Sequence, residues 1–193
     1  MADHDTDLML RAATGDEGAF AELFERHYAR AVNIAYRSTG DRDLAEDIAM
    51  DAFARIYESR ASFRASAKFT TYLYRVVVNL TINAAKRSRI VRQEPLEDHS
   101  LSAPAAADPS AQAERAEVAR VVRDAVLALP PNQRLALILT RYEGMSYESA
   151  AEAMRVSVKA VESLLHRAKA NLREALRDCV GFGCPRMNTE SHG

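Results

Sequence analysis

The sequence predicts an all-α protein made of two small helical domains joined by a flexible linker. Three observations predict it. Apolar residues recur at helical spacing in seven segments, no segment keeps the two-residue period of a strand, and a Pro- and Ser-rich stretch without period separates the third segment from the fourth. In a chain of 193 residues, 48% of them apolar, each half can build its own core. The expected boundaries are a first domain over 1–91, a linker over 92–113, a second domain over 114–178 and a tail over 179–193.

The first segment, 19–39, gathers Phe20, Leu23, Phe24, His27, Ala31 and Ile34 on one side. In the second, 44–57, Ile48, Ala52 and Ile56 turn inward, while Asp47, Met50, Asp51 and Ala54 project outward and Asp43 and Glu58 extend an acidic stripe. The third, "FTTYLYRVVVNLTINAAKR" over 69–87, has enough Val, Thr and Tyr to pass for a strand. Only a helical turn, however, gathers Phe69, Leu73, Val76, Val77, Leu80 and Ala84 on one side. The opposite side carries Arg75, Asn79, Asn83 and Lys86, with Thr71, Tyr72 and Arg87 at its margins.

Beyond the linker, helical pattern runs over 114–129, breaks at Pro130 and Pro131, and resumes over 133–142 on Leu135, Ile138, Leu139 and Tyr142. A turn at "EGMS" leads to a closely spaced pair, 147–154 and 158–177. Ser146 suits the cap of the first of these helices and Ser157 the cap of the second, with Val156 placed to staple onto Val161. Two helices this close suggest a helix-turn-helix. In the longer one, Val161, Leu164, Leu165, Ala168, Leu172 and Leu176 share one side. Lys159, Glu162, Ser163, His166, Ala170 and Arg173 share the other, flanked by Arg167 and Lys169. A recognition helix in a major groove and a helical hairpin with a polar outer face both fit that pattern.

The formal net charge of −1 hides an asymmetry. Acids prevail up to Glu58, whereas from Ser59 to Gln93 the only charges are Arg60, Arg64, Lys68, Arg75, Lys86, Arg87, Arg89 and Arg92. This block is either a solvated basic face or a contact for a polyanion. The five His, at 4, 27, 99, 166 and 192, form no metal spacing, and there is neither a glycine-rich phosphate loop nor a nucleophile motif, so no cofactor and no catalysis are expected. Cys179, Cys184 and His192 lack a fourth ligand for zinc, and a disordered tail is the expectation there. No signal peptide or membrane span is apparent, which points to the cytoplasm.

In order, "AFAELFERHY", "AEDIAMDAFARIY", "SFRASAKFTTYLYRVVVNLTIN", "LALPPNQRLALILTRYEGMSYESAAEAM" and "SVKAVESLLHRAKANLR" resemble the conserved segments of regions 2 and 4 of an ECF (extracytoplasmic function) sigma factor of the sigma-70 family. The resemblance covers nearly the whole chain. It implies a subunit that binds bacterial RNA polymerase core and directs it to promoter DNA, commonly held in check by an anti-sigma factor. It also implies roles for the two polar stripes. Asn79 would lie nearest the pocket for an unstacked minus-ten base and Thr71 and Tyr72 near the separating strands, with Arg75, Asn83, Lys86 and Arg87 on bases or phosphates. The family often has Trp where Tyr72 stands. Lys159, Glu162, Ser163 and His166 would read the minus-thirty-five element while Arg167, Lys169 and Arg173 hold backbone. Asp47, Met50, Asp51 and Ala54 would dock on the polymerase's largest subunit; Met50 stands where the family commonly has Gln. The alternative is a stand-alone helix-turn-helix regulator.

Overall fold

The computed structural model describes residues 3–91 and 109–177, which form eight α-helices and, among the described residues, no strand. Cys179, Cys184, His192 and the stretch 92–108 lie outside the described residues.

Helix α1, His4–Ala13, is not expected from the sequence, because ten residues with one short apolar run give little periodicity. It is held by packing rather than propensity: Leu8, Met9 and Ala12 are fully buried, and Asp3 caps it by accepting from the Thr6 amide at 2.9 Å. Thr6 then fastens the far end of the domain, its hydroxyl oxygen accepting the Phe69 amide at 3.2 Å.

Helices α2, Glu17–Thr39, and α3, Arg42–Glu58, form an antiparallel hairpin. Asp16 and Asp41 cap them, accepting from the Ala19 and Leu44 amides at 3.0 Å each. An aromatic cluster cements the pair, with Phe24 edge-on to Phe53 at 5.0 Å and Phe20 edge-on to Tyr57 at 5.0 Å. Between them the chain reverses at Gly40, whose φ of 77° lets its amide close on the Tyr36 carbonyl at 2.8 Å.

Helix α4, Phe69–Val91, lays Phe69, Leu73 and Val77 into this core as expected. A second stripe one residue further round, Tyr74, Val78 and Thr81, is buried too. The sequence pattern does not announce it.

The second half supplies the reason. Helix α5 spans Pro109–Ala128, starting five residues before the pattern expected from the sequence. Helix α6, Pro131–Leu137, begins with Pro131 in its first turn, where a missing N–H costs nothing. It runs into a wider π turn over Ile138–Tyr142, closed by the Glu143 amide on the Ile138 carbonyl at 3.1 Å. Helices α7, Tyr147–Met154, and α8, Val158–Ala175, follow. Ser146 and Ser157 cap them as expected, each accepting an amide at 3.2 Å. The turn between them places Arg155 at φ 55° and ψ 45°, a left-handed conformation. Val161 is fully buried while Val156 keeps 38% of its surface exposed, so the staple expected between them is at most partial.

Helix α7 packs against α4 as well as against α8. Ala150, Ala151 and Ala153 are buried, and such small side chains let backbones approach closely. The described residues therefore share one continuous core from Leu8 to Val161.

Candidate functional site

The polar stripe of α8 stands clear of the protein. Lys159, Glu162, Ser163, His166, Arg167, Lys169 and Arg173 are all exposed, while Val161 and Ala168 are fully buried and Leu164, Leu165 and Leu172 are partly so. Ser157 caps the end of the helix nearest Lys159, which leaves that first turn straight and its outward side chains free. No ion pair engages any of the seven among the described residues. Gln133 of α6 accepts from the Asn171 amide nitrogen at 2.9 Å and fixes the far half of the helix to its own domain. Four cations and one carboxylate at this spacing can meet phosphates along the margins and base edges along the middle.

The polar stripe of α4 is only partly open. Asn83, Lys86 and Arg87 are exposed, and Arg75 and Asn79 are half-buried. Thr71 is not at an exposed margin: it is 5% exposed. The expectation of a hydroxyl facing outward is corrected there, because burial wraps further round α4 than one apolar face. Tyr72 is half-buried and held from three sides. Its hydroxyl meets that of Ser59 at 3.1 Å, Phe63 lies 5.5 Å from its ring, and the Arg75 guanidinium sits 5.2 Å from the ring centroid. Ser59 and Phe63 are the residues that sequence reasoning missed; both precede α4 in a loop without periodicity.

On α3, Asp47, Met50 and Ala54 are exposed, Met50 by 52%, more than any other large apolar side chain among the described residues. Asp51 is partly exposed and takes two hydrogen bonds from Arg55, at 2.8 and 3.0 Å, so its charge is neutralised one turn along the same helix. That pairing also raises the Arg55 pKa.

Between the two halves lies a further polar cluster that the sequence did not indicate. The Glu143 side chain, 6% exposed, accepts from Arg30 of α2 at 2.5 Å and from the Tyr74 hydroxyl of α4 at 3.3 Å. Arg30 also donates to the Glu143 carbonyl at 3.3 Å. Burial, with Glu143 beside it, pushes the Tyr74 phenol well above its ordinary range, and the hydrogen bond to Glu143 raises Arg30. Among the described residues no group of three or more His, Cys, Asp or Glu could hold a metal ion, and no helix is long and apolar enough to cross a membrane.

A helical protein whose second half ends in a helix-turn-helix, with an exposed basic stripe on the second of those helices, belongs to the class of DNA-binding proteins. Residues 23–90 match Sigma-70 region 2 and residues 119–172 match Sigma-70, region 4. The RNA polymerase sigma factor NccH of Alcaligenes xylosoxydans xylosoxydans is 33% identical over 180 residues, covering 90% of this chain and 95% of NccH. The ECF RNA polymerase sigma factor SigM of Mycobacterium tuberculosis is 31% identical over 172 residues, 89% of this chain and 84% of SigM. Among solved structures, CnrH in complex with the cytosolic domain of CnrY is similar at a TM-score of 0.67 and 30% identity, covering 92% of this chain and 99% of CnrH. The chain belongs to the ECF sigma factors of the sigma-70 family, the alternative sigma factors of bacterial RNA polymerase.

Proposed function

We propose that this sigma factor docks on bacterial RNA polymerase core through α3, opens and holds the minus-ten promoter element with α4, and reads the minus-thirty-five element with α8. The observation that carries the proposal is the α8 stripe, seven polar residues exposed together on a helix whose other side is locked into the domain. In a major groove, the first turns of such a helix meet base edges: Ser163 and His166 can hydrogen-bond to them and Glu162 can accept from a cytosine amino group. Arg167, Lys169 and Arg173 hold phosphates, which fix register without reading sequence.

On α4, flipping a base out of the stack costs a few kcal/mol. Asn79, with Arg75, Asn83, Lys86 and Arg87 around it, supplies base and backbone contacts to offset that cost. Tyr72, set in place by Ser59 and Phe63, offers a ring edge beside the separating strands. On α3, Asp47 and the exposed Met50 and Ala54 form the polymerase contact, where an acidic stripe steers association with a basic partner. The protein works in the cytoplasm with no catalytic centre of its own, and an anti-sigma factor holds it inactive; the similar CnrH is likewise solved with a second protein bound, the cytosolic domain of CnrY.

The test is reconstitution: purified protein is added to bacterial core polymerase and transcripts are mapped on a genomic library. Starts downstream of a shared pair of elements are the expected result. Failure to direct any start, with any inhibitor removed, would favour the stand-alone regulator.

A further inference from the structure

Arg155 stands in the turn between α7 and α8 at φ 55° and ψ 45°, a left-handed conformation that disfavours a residue with a Cβ. Among the described residues, the other positions of positive φ all carry glycine: Gly15, Gly40 and Gly144. Nothing inside the protein accounts for an arginine at this one. The Arg155 side chain is exposed and makes no hydrogen bond or ion pair among the described residues. Other exposed arginines find a carboxylate close by along the chain, Arg11 on Asp16, Arg42 on Glu46, Arg55 on Asp51 and Arg120 on Glu117. Glu152 is exposed on the turn of α7 just before Arg155, yet the two do not pair. The turn itself is closed by backbone alone. The amides of Arg155 and Val156 meet the carbonyls of Glu152 and Ala151 at 3.2 and 3.0 Å, bonds that glycine would make equally well.

We propose that Arg155 is a phosphate contact of the DNA-bound protein, gripping the strand at the edge of the major groove and so fixing how the first turns of α8 sit within it. The proposal rests on α8 lying in a major groove, as in the reading above. A helix about 10 to 12 Å across fills a groove about 12 Å wide, so its own outward side chains meet base edges. Residues just outside its first turn then face the flanking strands. Arg155 holds that place: it lies two residues before Ser157, the cap of α8, at the end from which Lys159, Glu162 and Ser163 follow. Arg167, Lys169 and Arg173 lie further along the same helix, so with Arg155 the duplex backbone is held at both ends of the reading stripe. Such contacts carry no sequence information and set register. A guanidinium suits the task because its planar fork of donors matches phosphate oxygens and stays charged.

The strain points the same way. A conformational cost that no internal contact compensates is characteristic of a residue kept for function. Glycine would relax the turn and remove the cation together. Stability and DNA affinity should therefore move in opposite directions on Arg155→Gly, which a purely structural role for the residue does not produce.

The experiment uses the full chain as wild type, Arg155→Gly, Arg155→Gln and Arg155→Lys. A short duplex is selected from a random library by binding to the wild-type chain. Fluorescence anisotropy then measures the affinity of each form for that duplex, and for one with its selected element scrambled, over a series of salt concentrations. Urea unfolding followed by circular dichroism measures stability. Loss of one phosphate contact reduces the slope of log affinity against log salt by about 0.9, a fall of about eightfold in affinity at about 0.1 M salt and about fourfold at about 0.2 M. Arg155→Gly should show that fall on both duplexes alike while its urea midpoint rises. Arg155→Gln keeps the strained turn and loses the charge, so it should show the same fall without the rise. Arg155→Lys should retain most of the slope as a point charge. An Arg155→Gly chain that binds as tightly as wild type with the same slope overturns the proposal, and so does a loss confined to the selected duplex, which would make Arg155 a reader of bases. If wild type selects no duplex, the placement of α8 in a groove fails and the proposal with it. If wild type selects one and Arg167→Ala weakens binding while Arg155→Gly does not, the placement stands and the proposal alone fails.

Discussion

Gly40→Ala tests whether the two halves pack in solution as described, and its cost has two separable parts. The first is backbone strain: at φ 77° an L side chain is disfavoured by about 1 to 2 kcal/mol. The second is steric and crosses between the halves. A Cβ at Gly40 would lie 2.9 Å from Leu127 Cδ1 and 3.3 Å from Cδ2, close enough to force Leu127 out of place. Leucine can rotate, and leaving its rotamer costs about 0.5 to 1.5 kcal/mol. The sum is about 1.5 to 3.5 kcal/mol, or a fall in Tm of about 3 to 14 °C for a chain of this size. Gly144 provides the control, because its φ of 67° carries the same backbone strain while nothing lies within 4 Å of its Cβ position. Gly144→Ala should lose only the first part. Thermal and urea unfolding followed by circular dichroism should then be measured for Gly40→Ala, Leu127→Ala and the double variant. If α5 lies against the α2–α3 turn, the double variant loses less than the sum of the singles by about 1 kcal/mol, since Leu127→Ala removes the atoms that clash. Additivity within about 0.3 to 0.5 kcal/mol would refute the reasoning, because uncoupled residues behave that way.

Other expectations concern single helices. Ser163→Ala or His166→Ala should change preference within the upstream element by about 1 to 3 kcal/mol per lost base contact, whereas Arg167→Ala should weaken all sites alike and reduce the salt slope by about one phosphate contact; binding to a panel of mutated elements at several salt concentrations separates the two behaviours. Arg155→Gly should raise stability by up to about 1 kcal/mol in urea unfolding, since glycine occupies the left-handed turn of the helix-turn-helix without the penalty borne by arginine. The Asp16 carboxyl is held below the usual carboxylate range by hydrogen bonds from the Ala19 amide and from Arg11. A group whose folded pKa is depressed contributes above its unfolded pKa, about 3.9, and loses that contribution as pH falls through the lower folded value. The Tm difference between wild type and Asp16→Asn should accordingly be present at neutral pH and shrink below about pH 4.

How much could be read in advance depended on whether a helix has one buried side or two. Helix α8 has one. Its apolar residues recur at helical spacing and its polar residues fill the rest, so Lys159, Ser163, His166 and the flanking cations fall where periodicity places them, and Ser157 caps as its position suggests. The inner sides of α2 and α3 were legible for the same reason. Helix α4 has two buried sides, and the additional one surrounds Val78 with Thr71, Tyr74 and Thr81, three residues whose types in sequence suit a wet face as well as a dry one. Asp51 is a milder case, counted as an outward acid until the turn of α3 brings Arg55 to it at 2.8 Å.

By itself the sequence determined the local matters: which stretches coil, where Ser146, Ser157 and the paired prolines start or stop them, which flank of each helix is greasy, and which family the ordered motifs resemble. All of these depend on residues within a few positions of one another, where spacing along the chain is spacing in space. Only the tertiary structure decided that Glu143 would meet Arg30 across 113 positions, that α7 would cover a second flank of α4, and that Arg134 would be half-buried with no ion-pair partner among the described residues. Those outcomes depend on how two finished surfaces fit each other, and no local period encodes that fit.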